Sequence, residues 1–440
     1  MNAVERPQRF APFGSWYVRL LRNDTQGTGI GPVPESQRDT VIFLLRSMLR
    51  SLGEDVLNPN PSVMIALRLA REHNLNKEAE LLRELKEAAI RKVQNDEDFS
   101  SGLVALYTLA LTASCSDPCN VTSNGFTVNL LHLLEEKLSK EIKNFEDKLF
   151  PLTNYYQVSL DVLALCVKKR QIPHRSVLTL TDAVMNDTLS HGTGFSVDTG
   201  AVAALALRCL IEADYSLIAA RIESALQKVI GQIIDNVKGD GIIGNLYSTG
   251  LAIQALSTNI NLVSLESWNC SKSLQKLLTE IKKGSFGNAQ AASQISPSLD
   301  GRTYLDVGKL NCAADVDNLT LPELSTSSPP VTERVPIRVQ YNITDGLHHT
   351  FSYAVNVTVP RGSPLLEVLQ EARRADPERF SFKLKMTFWG PSVTSIGGLE
   401  SDSYNRTYWQ FLNGTKLLDQ GIGSYQPSNG ERILANFTTY

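Results

Sequence analysis

The sequence predicts an (α/α)6 toroid followed by a small mixed β domain. Three observations lead there: an apolar helix pattern recurs six times, amphipathic helix patterns alternate with it, and beyond residue 333 the hydrophobic period shortens to two.

Each apolar copy places a small hydroxyl residue shortly before an Ala-Leu pair. The copies begin at Ser62 (PSVMIALRLA), Ser101 (SGLVALYTLAL), Ser159 (SLDVLALCV), Thr199 (TGAVAALALRCL) and Thr249 (TGLAIQALS), with a weaker sixth at Ser293 (SQISPSL). A helix that is apolar nearly all round has to be buried. Between the copies, EAELLRELKEAAIRKV (78–93), NLLHLLEEKLSKEIKNFEDKL (129–149) and SLIAARIESALQKVIGQIIDNV (216–237) carry apolar residues at three- and four-residue steps with charges between, as half-exposed helices do. A closed ring, apolar helices inside and charged ones outside, satisfies six such alternations best; an open solenoid is the alternative.

The ring is expected over 46–312, after an atypical N-terminal segment at 1–45. Residues 313–333, AADVDNLTLPELSTSSPPVTE, read as a linker, and 334–440 as the β domain. There IRVQYNI, FSYAVNVTV, FSFKLKMTF and RILANFTTY read as strands, and SPLLEVLQEARRA (363–375) as a helix with a Ser cap and Pro in its first turn. TFWGPSV and YWQFLNGTKLL read as turns presenting aromatic and small residues.

If the inner helices all run the same way, their N-termini open onto one rim, where unpaired N–H groups and positive dipole ends converge. Tyr156, Asp198, Asn245 and Gln294 all lie near predicted helix starts, Asp198 directly before Thr199. A phenol, a carboxylate and two amides would then face one cavity. For any one of them a capping or turn role is the plain alternative.

A net charge of −3 gives no basic field for nucleic acid, and no stretch reaches the roughly 18 to 20 apolar residues that cross a bilayer. The N-terminus shows no signal-peptide pattern. Sequons at Asn23, Asn120, Asn186, Asn269, Asn318, Asn342, Asn356, Asn405, Asn413 and Asn436 nevertheless exceed the roughly four or five that composition alone would give. With the six scattered cysteines 115, 119, 166, 209, 270 and 312, they favour a secreted glycoprotein. Enzymatic signatures are missing. Asp198 is the only acid at the helix starts, where a glycosidase needs two, and the six His match no zinc set, although His191 sits in a loop on the mouth side.

The motifs NPNPSVMIALRLA, LTASCSDP, PLTNYYQVSLDVLALC, FSVDTGAVAALALRCL, GIIGNLYSTGLAIQAL, SWNC, GRTYLDV, FWGPSVTSI, RTYWQFLNG and ANFTTY, in this order from about residue 58, resemble the cobalamin-binding carrier family of gastric intrinsic factor, haptocorrin and transcobalamin. The likeness is greatest to intrinsic factor or haptocorrin. It implies one cobalamin held between an (α/α)6 domain and a β domain, delivery to a cell-surface uptake receptor, no catalysis, and a monomer. It places Tyr156, Asp198, Asn245 and Gln294, with a weaker contribution from Ser62, on one face of the ligand. Phe388, Trp389, Gly390, Pro391, Ser392 and Val393, and a second stretch including Trp409, Gln410 and Leu418, would cover the other face. It implies bridges Cys115–Cys312 and Cys166–Cys209. Phe195 stands where transcobalamin has a cobalt-binding His, so no protein ligand to cobalt is expected. Leu103 replaces a Gln or Glu common in such carriers. Cys270 lacks the N-terminal partner that the family gives it, with Cys119 a speculative substitute. Two other readings stay open: a toroid enzyme acting on a glycan or isoprenoid, and a receptor-binding module that has lost its ligand.

Overall fold

The computed structural model describes residues 31–321 and 335–439, apart from residues 54, 56, 190–193, 214, 265, 388–389, 403–404 and 419. Six helix pairs come first. The outer members are α1 (Arg38–Arg50), α3 (Leu75–Gln94), α5 (Leu130–Lys148), α7 (His174–Met185), α9 (Ala219–Asp235) and α11 (Cys270–Lys282). The inner members are α2 (Pro61–Leu69), α4 (Ser101–Ala113), α6 (Tyr155–Val167), α8 (Val197–Glu212), α10 (Thr249–Thr258) and α12 (Ala289–Leu299). Each inner helix packs against its predecessor and successor, and α12 packs against α2. That last contact closes the ring and removes the open solenoid.

Burial follows the sequence pattern. Val202 to Leu207 of α8 are fully buried in succession, whereas α9 buries only the stripe Ile222, Ala225, Leu226, Val229, Ile230 and Ile233. A 3-10 segment, Tyr304–Lys309, packs against α2, α4, α6 and α8 and plugs the ring.

Helix α1 begins at Arg38, within the stretch expected to be atypical up to residue 45. Its stripe Val41, Leu44, Leu45, Met48 and Leu49 is buried, and the buried Arg38 guanidinium pairs with Glu72 and Asp300. The spacing of that stripe was readable; the Pro- and Gly-rich run before it drew attention away. The described part of the expected linker, up to residue 321, likewise packs on the ring. Arg68 pairs with Asp315, the Leu319 N–H donates to the His73 carbonyl at 2.8 Å, and Leu319 is buried.

A short hairpin of β1 (Val121–Ser123) and β2 (Phe126–Val128) precedes α5. The β region holds a five-stranded sheet, order β4-β3-β10-β8-β9, formed by β3 (Pro336–Asp345), β4 (Ser352–Pro360), β8 (Thr407–Asn413), β9 (Lys416–Leu417) and β10 (Arg432–Thr439). Strands β3 and β10 run parallel and the other pairs antiparallel. A smaller sheet contains β5 (Phe382–Thr387), β6 (Gly390–Ile396) and β7 (Leu399–Glu400). Helix α13 (Leu365–Ala375) packs on β3 and β4, burying Leu365, Val368, Leu369 and Ala372 against Ile337, Val339, Tyr341 and Ile343.

Two local expectations are corrected. Ser363 does not cap α13; the Leu365 and Leu366 N–H groups donate to the carbonyls of Tyr425 and Ile422, at 2.7 and 2.8 Å. The TFWGPSV and YWQFLNGTKLL stretches contribute strands rather than turns alone. Gly390 and Pro391 open β6, and only Gly414 and Thr415 turn between β8 and β9.

Candidate functional site

The inner helices start where asparagine, more often than the hydroxyl residues, stops the preceding chain. The Oδ1 of Asn60, Asn154 and Asn288 accepts N–H bonds from Ser62, Gln157 and Ala291 at 2.9, 3.0 and 2.8 Å. Ser196 caps α8, accepting from the Thr199 N–H at 3.3 Å. Asp198 therefore lies in the first turn of α8 instead of ahead of it, Tyr156 in the first turn of α6, and Gln294 in the second turn of α12. Ser159 and Ser293 are fully buried inside their helices, small enough for neighbouring helices to close on them.

Between this rim and the β region runs a crevice with two lobes. One, about 510 Å³, brings together Asp198, Asn245, Gln290 and Gln294 from the ring and Leu418, Gln420 and Gly421 from the β region. The other, about 810 Å³, is walled by Ser101, Leu103, Asn154 and Gln157 below, and by Pro391 to Val393, Trp409 and Gln410 above. Leu417, Leu418, Gln420 and Gly421 border both lobes, so the two adjoin. Outside the crevice, the Lys385 ammonium meets the Asp98 carboxylate at 2.5 Å and the Arg406 guanidinium lies 5.7 Å from the Phe150 ring centre, fastening roof to floor.

The polar groups of the smaller lobe are arranged to offer both donors and an acceptor. Asn245 spends its Oδ1 on the N–H groups of Tyr247 and Ser248, each at 2.8 Å, which leaves the Nδ2 hydrogens as donors. Asp198 is half-buried, and burial raises its carboxyl to about 6. The positive end of α8 favours the ionised carboxylate, and burial works against it. Tyr156 is buried under the floor, close enough to Tyr304 and Asp198 to feel their charge, and burial holds its phenol well above the usual range. Phe195 folds its ring onto Gly200, where any Cβ would collide with it.

The predicted residues thus divide. Asp198, Asn245, Gln294, Gly390 to Val393, Trp409, Gln410 and Leu418 line the crevice. Trp409 is mostly buried: its indole N–H donates to the Leu399 carbonyl at 3.2 Å and its ring lies 5.3 Å from that of Phe437. Tyr156 supports the floor. Ser62 is buried behind its cap and is not among the residues bordering either lobe. Phe388, Trp389 and His191 lie outside the described residues. Sequence reasoning missed Asn154, Gln157, Gln290 and Gln420; the Asn-before-helix signal in TNYYQ and GNAQ would have found the first three.

Both expected bridges, Cys115–Cys312 and Cys166–Cys209, are formed. Cys270 is a buried free thiol and Cys119 is also free, so the two do not pair with each other. Among the described residues no cluster of His, Cys, Asp and Glu could hold a metal ion, and no helix is long and apolar enough to cross a membrane.

A closed helical ring whose mouth is roofed by a second domain, with amide and carboxylate side chains turned into the gap, defines a protein built to hold a sizeable polar ligand. The chain belongs to the eukaryotic cobalamin-binding protein family, whose profile matches residues 15–333; a domain of unknown function (DUF4430) matches 362–439. The match starts well before the motifs at residue 58, inside the stretch expected to be atypical. Human cobalamin binding intrinsic factor is 36% identical over 428 residues, covering 94% of this chain and 95% of that protein. Human transcobalamin-1 is 37% identical over 355 residues, covering 78% and 80%. The crystal structure of haptocorrin in complex with Cbi superposes with a TM-score of 0.78 at 31% identity, covering 93% of this chain and all of that one.

Proposed function

We propose that this protein is a secreted, monomeric carrier that holds one cobalamin across the ring mouth beneath the β domain and delivers it to a cell-surface uptake receptor. The observation that carries the reading is the meeting of Asp198, Asn245 and Gln294 with Leu418 on one polar-walled crevice. Cobalamin is large, flat and rimmed with amides, so a deep cleft with a few aimed donors and acceptors suits it. The likeness to haptocorrin in complex with Cbi supports the same assignment.

In this reading Asp198 accepts from a ligand amide N–H, Asn245 donates to an amide oxygen, and Gln294 can do either. Gly390, Pro391, Ser392, Val393, Trp409, Gln410 and Leu418 form the upper wall, and Phe388 and Trp389 extend the same stretch. Phe195, at the position of the cobalt-binding His of transcobalamin, turns onto Gly200 and offers cobalt no ligand. Two ring bridges and ten sequons support an extracellular setting. In this reading the protein is a carrier and not an enzyme, in keeping with relatives that are named for cobalamin binding. An open crevice with polar walls likewise disfavours a module that has lost its ligand.

Titration with cobalamin, followed by its visible spectrum, tests the reading; no spectral change and no co-purifying corrinoid would reject it. Asp198→Ala is expected to weaken binding by roughly 1 to 3 kcal/mol, because it leaves a buried ligand donor without its acceptor. Unchanged affinity in that variant would remove Asp198 from the site.

A further inference from the structure

The opposite face of the ring carries a second cavity, of about 790 Å³, that the cobalamin reading does not use. It opens at the C-terminal ends of α6 and α8. Those ends lie roughly 20 Å along the helices from the mouth, at 1.5 Å per residue. Its floor is apolar: Ile172, Leu305 and the Cys166–Cys209 bridge are all buried. Tyr215 fixes one wall, its hydroxyl accepting from the Ile172 N–H at 3.0 Å.

The charges around this floor do not balance. Among the described residues Glu212 is the one acid on the wall and is held by Arg208 at 3.2 Å, while Arg170 is held by Glu135 at 2.7 Å. Lys169 and Lys309 are exposed on the wall and form no salt bridge among the described residues. Among the described residues, two ammonium groups without a salt-bridge partner therefore stand over an apolar floor, in a chain whose net charge is −3.

We propose that this cavity is a second ligand site, taking an amphipathic organic anion whose ring system covers the floor and whose carboxylate or sulfonate faces the two lysines. A bare inorganic anion would leave the apolar floor wet, and a neutral ring compound would leave both ammonium groups unpaired. Only the combination satisfies both surfaces. The site stands apart from the crevice and does not depend on what the crevice holds.

Isothermal titration calorimetry of the full chain with 1-naphthalenesulfonate tests the proposal. The expected result is one site per chain with a Kd below about 100 μM. The neutral 1-naphthalenemethanol should bind about tenfold more weakly or worse, and Lys169→Glu combined with Lys309→Glu should lower sulfonate affinity at least about tenfold. Asp198→Ala, a change at the mouth, should leave this binding untouched. If the charge-reversed protein does not fold, Lys169→Gln with Lys309→Gln takes its place, with a loss of about fivefold or more expected. No binding at millimolar sulfonate, equal affinity for the neutral compound, unchanged affinity in the lysine variants, or loss of binding in Asp198→Ala would each overturn the proposal.

Discussion

The floor and the roof of the crevice are made by different means. Asp198, Asn245 and Gln294 stand at or near the starts of helices buried on nearly every side, and Ser196 and Asn288 are committed to capping two of those starts. The roof comes from one strand edge, a tight hairpin and the loop after it, where Gly390, Pro391 and Gln410 are half-buried and Leu417 is exposed. What fastens it to the floor is slight. The Lys385–Asp98 pair is about half exposed on both sides, and such pairs contribute only about 0.2 to 1 kcal/mol. In the proposed carrier this difference assigns recognition to the pre-organised floor, and added area and the rate of ligand release to the roof.

Covalent bonding repeats this contrast, since all six cysteines fall between residues 115 and 312. Cys115–Cys312 closes 197 residues and Cys166–Cys209 closes 43. On the loop-entropy scale these bridges stabilise the ring by about 5 and about 4 kcal/mol, with the strain terms left aside. Reduction should therefore lower the ring's unfolding midpoint sharply while the β region, which has no cysteine, keeps its own. Denaturant titrations with and without dithiothreitol, read by far-UV circular dichroism for helix and, in a Trp16→Phe, Trp268→Phe background, by the tryptophan fluorescence of the β region, Trp409 included, would show this. A parallel fall in both signals would mean that the two regions unfold as one, and the contrast would break.

Asp198 sharpens the comparison from the floor side. Burial raises its carboxyl to about 6, so the folded chain holds that proton more tightly than the unfolded chain, where an Asp titrates near 3.9. The stability this contributes is complete below about pH 4 and is lost as pH rises through 6. Asp198→Asn escapes that loss. Without ligand it should be more stable than the native chain at pH 8, by on the order of 1 to 3 kcal/mol, and equal to it near pH 4. Chemical denaturation at the two pH values checks the sign. A variant no more stable at pH 8 would mean that the carboxylate is well solvated in the open crevice. The expected pairing of a stabler fold with weaker cobalamin binding is the usual mark of a residue kept for its ligand.

The two regions also differed in how far they could be read from sequence. The ring was legible because an all-round apolar helix has one place to go, and six copies leave little freedom in arrangement. Its details slipped where two chemistries compete for a helix start. Hydroxyl residues marked every copy, yet in α2, α6 and α12 the asparagine upstream makes the cap and the serine packs inside. Helix α1 was overlooked although its stripe has the same spacing as the other outer helices. In the roof, Gly390-Pro391 and Asn413-Gly414 are turn signals by composition, but only the second sits in a turn. Gly390 pairs with Thr387 and Pro391 with Met386 at the very start of β6, where a strand tolerates proline. Strand pairing is settled by partners far away in the chain, so local composition misjudged it.

Leu103 offers the mildest test. It lines the larger lobe from the first turn of α4, beside Gln157, whose Oε1 is already occupied by the Gly102 N–H at 3.0 Å. The floor on this side therefore presents Leu103, with Phe99 and Leu152, among polar side chains. Replacing Leu103 with glutamine is nearly neutral for helix propensity, and the longer amide can reach into the lobe. Leu103→Gln should tighten cobalamin binding by about 0.5 to 1 kcal/mol, a few-fold in Kd, as one added hydrogen bond net of desolvation does. The gain should appear as slower dissociation, measured by chase with excess unlabelled ligand. Should affinity fall instead, the leucine is packing against an apolar part of the ligand, and the floor recognises shape there as well as amides.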